Sequence, residues 1–245
     1  MKIQITLALI VAPLFLLAAD SQPPAGFVSL FNGKDFSNWK VPEGDNGHWK
    51  IIDGVIDYDA QSEASGEKSL WSQKEYRDFV LQVDWRIKET PYTNPNVYYI
   101  LPDGSHGKDV KGKELPLPLP DSDSGIYVRG SATHQINIWC WPIGSGEMYG
   151  VRTDRKNSPE LRAGATPRTQ ADKPVGEWNR FEITVRGKTV KVVLNGKTVI
   201  PTYELPSLPE SGRIALQHHG SKRGDQWTSP PALVQFKNIA IKELN

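Results

Sequence analysis

The residues of this chain best suited to chemistry sit on short strand-like runs, each opposite an apolar neighbour. In Arg213-Ile214-Ala215-Leu216-Gln217-His218-His219-Gly220, a side-chain period of two turns Ile214 and Leu216 one way and Gln217 and His219 the other. In Gly125-Ile126-Tyr127-Val128-Arg129-Gly130 the same rule sets Tyr127 and Arg129 against Ile126 and Val128. In Gln135-Ile136-Asn137-Ile138-Trp139 it sets Gln135, Asn137 and Trp139 against Ile136 and Ile138. Asp84 and Arg86 likewise alternate with Val83, Trp85 and Ile87. Gathered on one concave sheet face, these residues would offer a histidine, a cation, a carboxylate, amides and an aromatic plate. That set suits a sugar, whose hydroxyls need polar partners and whose apolar ring face stacks on tryptophan. A sheet face turned to water would show the same alternation.

Other chemistries find less support. His218 and His219 are adjacent on a strand and point to opposite faces, so they cannot chelate one ion; one suits a site and the other packing. His106 and His134 lack metal-ligand spacing, and no H-E-x-x-H, EF-hand or C-x-x-C pattern occurs. Gly144-Ser145-Gly146-Glu147 resembles a nucleophile motif without its strand-turn-helix context, and Glu147 is of more interest as a loop carboxylate beside Met148-Tyr149-Gly150. Cys140, between Trp139 and Trp141, reads as a buried inert thiol, and as the lone cysteine it forms no intramolecular disulfide.

The positioning elements read as β throughout. Asn195-Gly196 between two apolar runs marks a hairpin, Phe79–Lys88 a half-buried strand, and Trp49–Ile52 with Val55–Tyr58 another turn-linked pair. Strands are also expected over Arg213–Gly220 and Leu233–Leu244, with a Pro-rich loop over Pro201–Pro209. No window holds an uninterrupted helical period, and the 21 glycines and 19 prolines punctuate short strands. This predicts an all-β, antiparallel two-sheet jelly-roll sandwich with little helix. Most of the eight tryptophans should be core, Trp85 and Trp178 among them. Glu89–Asp121, with its alternating prolines, is expected to be an extended insertion that walls a site, and Asp154–Asp172 a second loop at the same mouth.

Residues 1–19 hold Lys2 and then an apolar run from Leu7 to Ala19, broken only by Pro13 and too short to span a bilayer. They read as a secretory signal peptide, followed by a linker over 20–26 and one domain over 27–245. Lysine plus arginine number 29 and aspartate plus glutamate 28, so loss of Lys2 leaves a neutral chain with no membrane span. Neither nucleic acid nor an anionic membrane is implied as partner.

Four segments, in this order, carry a family resemblance: Asp123-Ser124-Gly125-Ile126-Tyr127-Val128-Arg129-Gly130, Gly176-Glu177-Trp178-Asn179, Leu194-Asn195-Gly196 and Leu216-Gln217-His218-His219-Gly220. With Phe27–Gly33 and Phe236–Leu244 at the ends, the chain resembles the 3-keto-disaccharide hydrolase domain family, also described as 3-keto-glucoside 1,2-lyase and 3-keto-2-hydroxy-glucal hydratase. The resemblance implies a concanavalin-like or laminin-G-like jelly roll, a periplasmic or secreted location, and action on glycosides oxidised at carbon 3 by a separate sugar 3-oxidoreductase. It implies no nicotinamide in this chain and leaves room for a divalent metal. Where many members look like Glu-x-Gln-Ile-x-Asp, this chain has Gln135-Ile136-Asn137-Ile138-Trp139-Cys140, so both acidic positions are neutral.

A ketone at carbon 3 acidifies the carbon 2 proton, so a base can remove it and the enolate can expel the carbon 1 substituent. The expected roles are His219 as base or metal ligand, Arg129 as enolate or hydroxyl clamp, and Glu147 and Asp84 as reserve acid/base groups. Gln135, Asn137, Gln217, Tyr127 and Trp139 are expected to bind substrate. A non-catalytic carbohydrate-binding module would need only the aromatic plate and the amides, and a structural domain of the cell envelope neither.

Overall fold

The structure is a computed structural model and describes residues 22–245. The leader expected over residues 1–19 and the start of the linker lie outside the described residues. The chain enters through β1 (Val28–Ser29), β2 (Trp39–Lys40), the hairpin β3 (Trp49–Ile52) and β4 (Val55–Tyr58), then β5 (Leu70–Tyr76) and β6 (Phe79–Ile87). An arm follows, closed at its base by β7 (Tyr92–Asn94) and β8 (Leu119–Asp121). The hairpin β9 (Ser124–Val128) and β10 (Ser131–Ile138) leads to two short helices, α1 (Tyr149–Thr153) and α2 (Pro159–Gly164). Then come β11 (Asn179–Arg186), β12 (Thr189–Leu194), β13 (Lys197–Glu204), β14 (Gly212–Leu216), the ladder β15 (Ser221–Arg223) and β16 (Gln226–Ser229), and finally β17 (Val234–Glu243).

The strands form an antiparallel two-sheet jelly-roll sandwich. One sheet runs β13-β12-β11-β6-β17-β4-β3, with β1 beside β17, and the other runs β10-β9-β14-β5-β2. Phe79, Leu81, Val83 and Trp85 of the first sheet join Ile126, Val128, Ile136, Ile138, Ile214 and Leu216 of the second in one buried core, each at the inward position that alternation gives it. Removing that apolar surface from water is the main favourable term holding the sheets together.

Several elements depart from expectation for local reasons. β13 runs through Pro201 to Glu204, because it is the edge strand and a proline there removes no ladder bond from a second neighbour. β14 stops at Leu216, although the Gln217 amide still donates to the Gly125 carbonyl at 2.9 Å. Within the second loop, α2 starts at Pro159 with Ser158 accepting from the Leu161 amide, a cap and first-turn proline too short to show a helical period. The arm is extended and cross-linked by bridges from Tyr98 to Pro116 and from Lys108 to Glu114. Trp178 is not core; its ring lies under Arg86 and Lys237 on the outside of the first sheet, 4.7 and 4.1 Å from the two cations.

Arg129 is the largest correction. Arg129 and Gly130, at φ 51° and 74°, form the two-residue turn between β9 and β10, so Arg129 leaves the strand and does not share the face of Tyr127. Its guanidinium is buried and donates to the carbonyls of Arg77 (2.5 Å), Gly187 (2.6 Å) and Pro209 (2.8 Å) and to Asp78 Oδ1 (2.7 Å). These partners lie in the β5–β6 turn, the β11–β12 turn and the approach to β14, so one side chain joins both sheets at one end of the sandwich. Arg129→Ala should therefore lower the unfolding free energy by about 3–5 kcal/mol, the usual consequence of breaking a buried pair. Urea unfolding of the purified variant measures it, and a loss below about 1 kcal/mol would contradict the clamp.

Candidate functional site

The site grows from the register of β9 with its neighbours. Gly125 pairs with Asn137 on β10, and the Gln217 bond to Gly125 sets the end of β14 on the other side. One step along, Gln135, Tyr127, Ala215 and Trp71 form a row across four strands on the outer face of the second sheet. The Gln135 side chain lies across Gly125, where a Cβ would come within 2.5 Å of its Nε2, so glycine is needed there for close approach. Gln135 Nε2 donates to Gln217 Oε1 at 2.7 Å and to the Ser124 carbonyl at 3.1 Å. The Tyr127 ring is 5.7 Å from that of half-buried Trp71, and burial pushes its phenol up to about 12.

Beyond Gly125 the polar groups lose their partners. Asn137 is 1% exposed, and neither its Oδ1 nor its Nδ2 is hydrogen-bonded. Its backbone exchanges bonds with the following loop, Asn137 N to Glu147 O at 3.0 Å and Gly146 N to Asn137 O at 2.9 Å, which fixes Glu147 beside it. Glu147 is fully buried; Arg152 Nε donates to its Oε1, and Oε2 has no partner. Asp123, the residue before β9, is held by its amide on the Pro231 carbonyl, and its buried Oδ1 is also unpartnered. Burial pushes both carboxyls up to about 7, with Asp121 raising Asp123 further and Asp123 raising Glu147, while the charges of Arg152 and His219 pull Glu147 and Asp123 back respectively. Asp121, Asp123, Glu147 and His219 are thus electrostatically linked, and the unpartnered buried atoms on Asp123, Asn137 and Glu147 are rare enough in folded proteins to mark the region.

His219 Nδ1 lies 2.6 Å from the Pro230 carbonyl, which only accepts, so Nδ1 carries the hydrogen and Nε2 of the neutral ring keeps its lone pair. His218 turns the other way, with Nδ1 2.5 Å from the hydroxyl of buried Tyr58 and its pKa pushed down by burial to about 4.

The structure thus brings Gln135, Asn137, Gln217, Tyr127, Glu147 and His219 to one region, and it excludes three expected members. Asp84 lies on the outer face of the other sheet, where Arg180 grips both its oxygens at 2.6 and 2.8 Å and Asn238 donates at 2.7 Å. Arg129 is the clamp described above, at the far end of β9 from Asp123. Trp139 is 3% exposed, stacked on Trp141 at 4.2 Å with its indole N–H on the Gly144 carbonyl, so it offers no open plate. Trp71 and the 45% exposed Tyr149 are the aromatic surfaces available instead. Asp123 and Arg152 were not anticipated; alternation would have set Asp123 in line with Gly125 and Tyr127, whereas nothing in the sequence points to Arg152.

A divalent cation does not fit these donors. Among the described residues no three His, Cys, Asp or Glu side chains gather in a metal-holding group. The Gln135 amide is engaged by Gln217, and burial pushes the Cys140 thiol up to about 12.

Residues 26–242 match the model of the 3-keto-alpha-glucoside-1,2-lyase-like domain. A curated 3-keto-disaccharide hydrolase from Bacteroides thetaiotaomicron is 22% identical over 182 residues, and the alignment covers 71% of this chain and 58% of that protein. Two Parabacteroides distasonis structures, provisionally assigned as glycosyl hydrolases, share the fold at 21% and 20% identity. Each gives a TM-score of 0.53 over 90% of this chain, covering 95% and 84% of theirs. With nearly all of its described sandwich inside the matched segment, the chain belongs to the 3-keto-alpha-glucoside-1,2-lyase-like domain family.

Proposed function

We propose that this chain is an exported enzyme that cleaves 3-keto-glycosides by removing the carbon 2 proton and expelling the carbon 1 substituent, with water then adding to complete a net hydrolysis. The observation that carries the reading is the cluster of buried, unpartnered polar atoms on Asp123, Asn137 and Glu147 beside His219, whose Nε2 is free. His219 Nε2 takes the carbon 2 proton, and the electron pair moves onto the carbon 3 oxygen as an enolate. Asn137 Nδ2 is the donor for that oxyanion, in the place first expected for Arg129. As the enolate collapses, the carbon 1–oxygen bond breaks and the departing oxygen takes a proton from Asp123 or Glu147, each raised to about 7. Water then adds at carbon 1, its proton passing to the carboxylate that protonated the leaving group, and His219 returns its proton to carbon 2, so both groups are restored. Export is supported by the leader pattern of residues 1–19, and among the described residues no helix is long and apolar enough to cross a membrane. The substrate's ketone must come from a separate sugar 3-oxidoreductase.

Incubation with a 3-keto-glucoside should release its aglycone, and the plain glucoside should not react, because its carbon 2 proton is too weakly acidic. His219→Ala should cut turnover roughly 100- to 10,000-fold with the fold intact. Wild-type rates from that variant would remove His219 from the base role, and equal hydrolysis of the plain glucoside would favour a paired-carboxylate glycosidase. Binding without turnover of either sugar would select a carbohydrate-binding module.

The same groups set a pH dependence of stability. Asp123 and Glu147, raised from 3.8 and 4.5 to about 7, bind protons more tightly folded than unfolded, so their contribution is full at low pH and is lost as pH rises to about 7. His134 and His218, lowered from 6.5 to about 4, act oppositely, and their contribution is lost as pH falls from 6.5 to about 4. The two trends offset in the wild type over the shared window. In Asp123→Asn one acid is gone, so unfolding free energy should climb more steeply with pH between about 4.5 and 6.5 than in the wild type. Urea titrations across that range test this, and parallel slopes would contradict it.

A further inference from the structure

A cavity of about 350 Å³ lies where the arm meets the two short helices, behind the Glu147–Arg152 pair. Its cations come from three separate segments: Lys108 from the arm, Arg152 and Arg155 from α1 and the turn after it, and Arg162 from α2. Glu114 is the acid on its wall, and it is engaged with His106 Nδ1 at 3.1 Å. Among the described residues Lys108, Arg155 and Arg162 make no ion pair. Arg152 is 2% exposed and is held by Glu147 through Nε and by the Gly104 carbonyl (3.2 Å) and His106 Nε2 (3.3 Å) through Nη1, which leaves Nη2 without a hydrogen bond. Arg162 Nε donates to the Arg152 carbonyl at 2.8 Å, and His106 stacks on Tyr98 with centroids 4.4 Å apart, so the walls are fixed before any ligand arrives. Glu114 offsets part of the charge of Lys108 and Arg155, Asp103 part of that of Arg162, and Glu147 that of Arg152, but four cations still converge on the cavity, whose wall carries one acid, and an oxyanion there relieves their repulsion while accepting guanidinium hydrogen bonds.

We propose that this cavity is an oxyanion-binding site, taking a phosphate, sulfate or carboxylate group on Arg152, Arg155, Arg162 and Lys108. The ligand is either a free anion or an acidic group carried by the aglycone, since the site lies behind a side chain that also holds Glu147. The proposal does not depend on the reaction, because its readout is binding.

The test titrates the full chain with inorganic phosphate at low ionic strength, following thermal unfolding and heats of binding. Phosphate should raise Tm, added chloride should weaken the effect, and Lys108→Ala/Arg155→Ala should lower the affinity at least about tenfold. Both replaced side chains are exposed and make no ion pair, so the double variant should fold as the wild type does. No response to phosphate or sulfate, or the same response in the double variant, would overturn the proposal. Competition separates the two sources: displacement of phosphate by a carboxyphenyl glucoside but not by phenyl glucoside assigns the site to the substrate's acidic group, and displacement by neither assigns it to a free anion.

Discussion

Everything on the outer face of the second sheet depends on how Arg129 closes the opposite end of the sandwich. Its turn demands two consecutive residues in the left-handed region, a conformation glycine adopts readily and arginine does not. The four hydrogen bonds of its guanidinium offset that strain, and they satisfy carbonyls in turns that would otherwise face one another without donors. With the β5–β6 turn, the β11–β12 turn and the approach to β14 fixed to one cation, β9 cannot slide against β14. The register that sets Asn137 and Gln217 on either side of Gly125 follows.

The two ends of β9 use buried polar groups in opposite ways. At Arg129 the hydrogen bonds are complete, which is how a buried charge stabilises rather than disrupts a fold. At Asp123 they are incomplete, as they are on Asn137 and Glu147. Leaving those groups unpartnered lowers stability, and the apolar core beneath them, from Ile126 to Ile138, supplies the margin that tolerates it. Desolvation then does chemical work: it lifts two carboxyls into the range where they exchange protons near neutral pH, and it strengthens any bond that Asn137 makes to a developing negative charge.

The local pairings were legible in the sequence, since the Asn195-Gly196 turn joins β12 to β13 and the Asp53-Gly54 turn joins β3 to β4. Alternation also placed Tyr127, Gln135, Asn137 and Gln217 on one face. It failed where the chain left the strand geometry on which the rule rests: Arg129 in its turn, and Trp139 one residue past β10. Asp84 shows a different limit. Its parity was read correctly, yet parity gives the face of a sheet and not which of two sheets, and only the long-range pairing of β6 with β11 and β17 decides that. Arg152 was out of reach for a third reason, because a five-residue helix has no period to detect and its partner Glu147 is brought to it by the loop.

The neutral residue at 135 fits this electrostatic arrangement. A carboxylate in place of the Gln135 amide would stand beside Gln217 in the row next to Asn137, adding a like charge to a region where Asp121 already raises the proton affinity of Asp123, and Asp123 that of Glu147. With an amide there, no further acid joins Asp121, Asp123 and Glu147, and one cation, Arg152, opposes Glu147 from behind. Two carboxyls raised into the neutral range then stand beside the open Nε2 of His219, so groups able to give and to take a proton share one site.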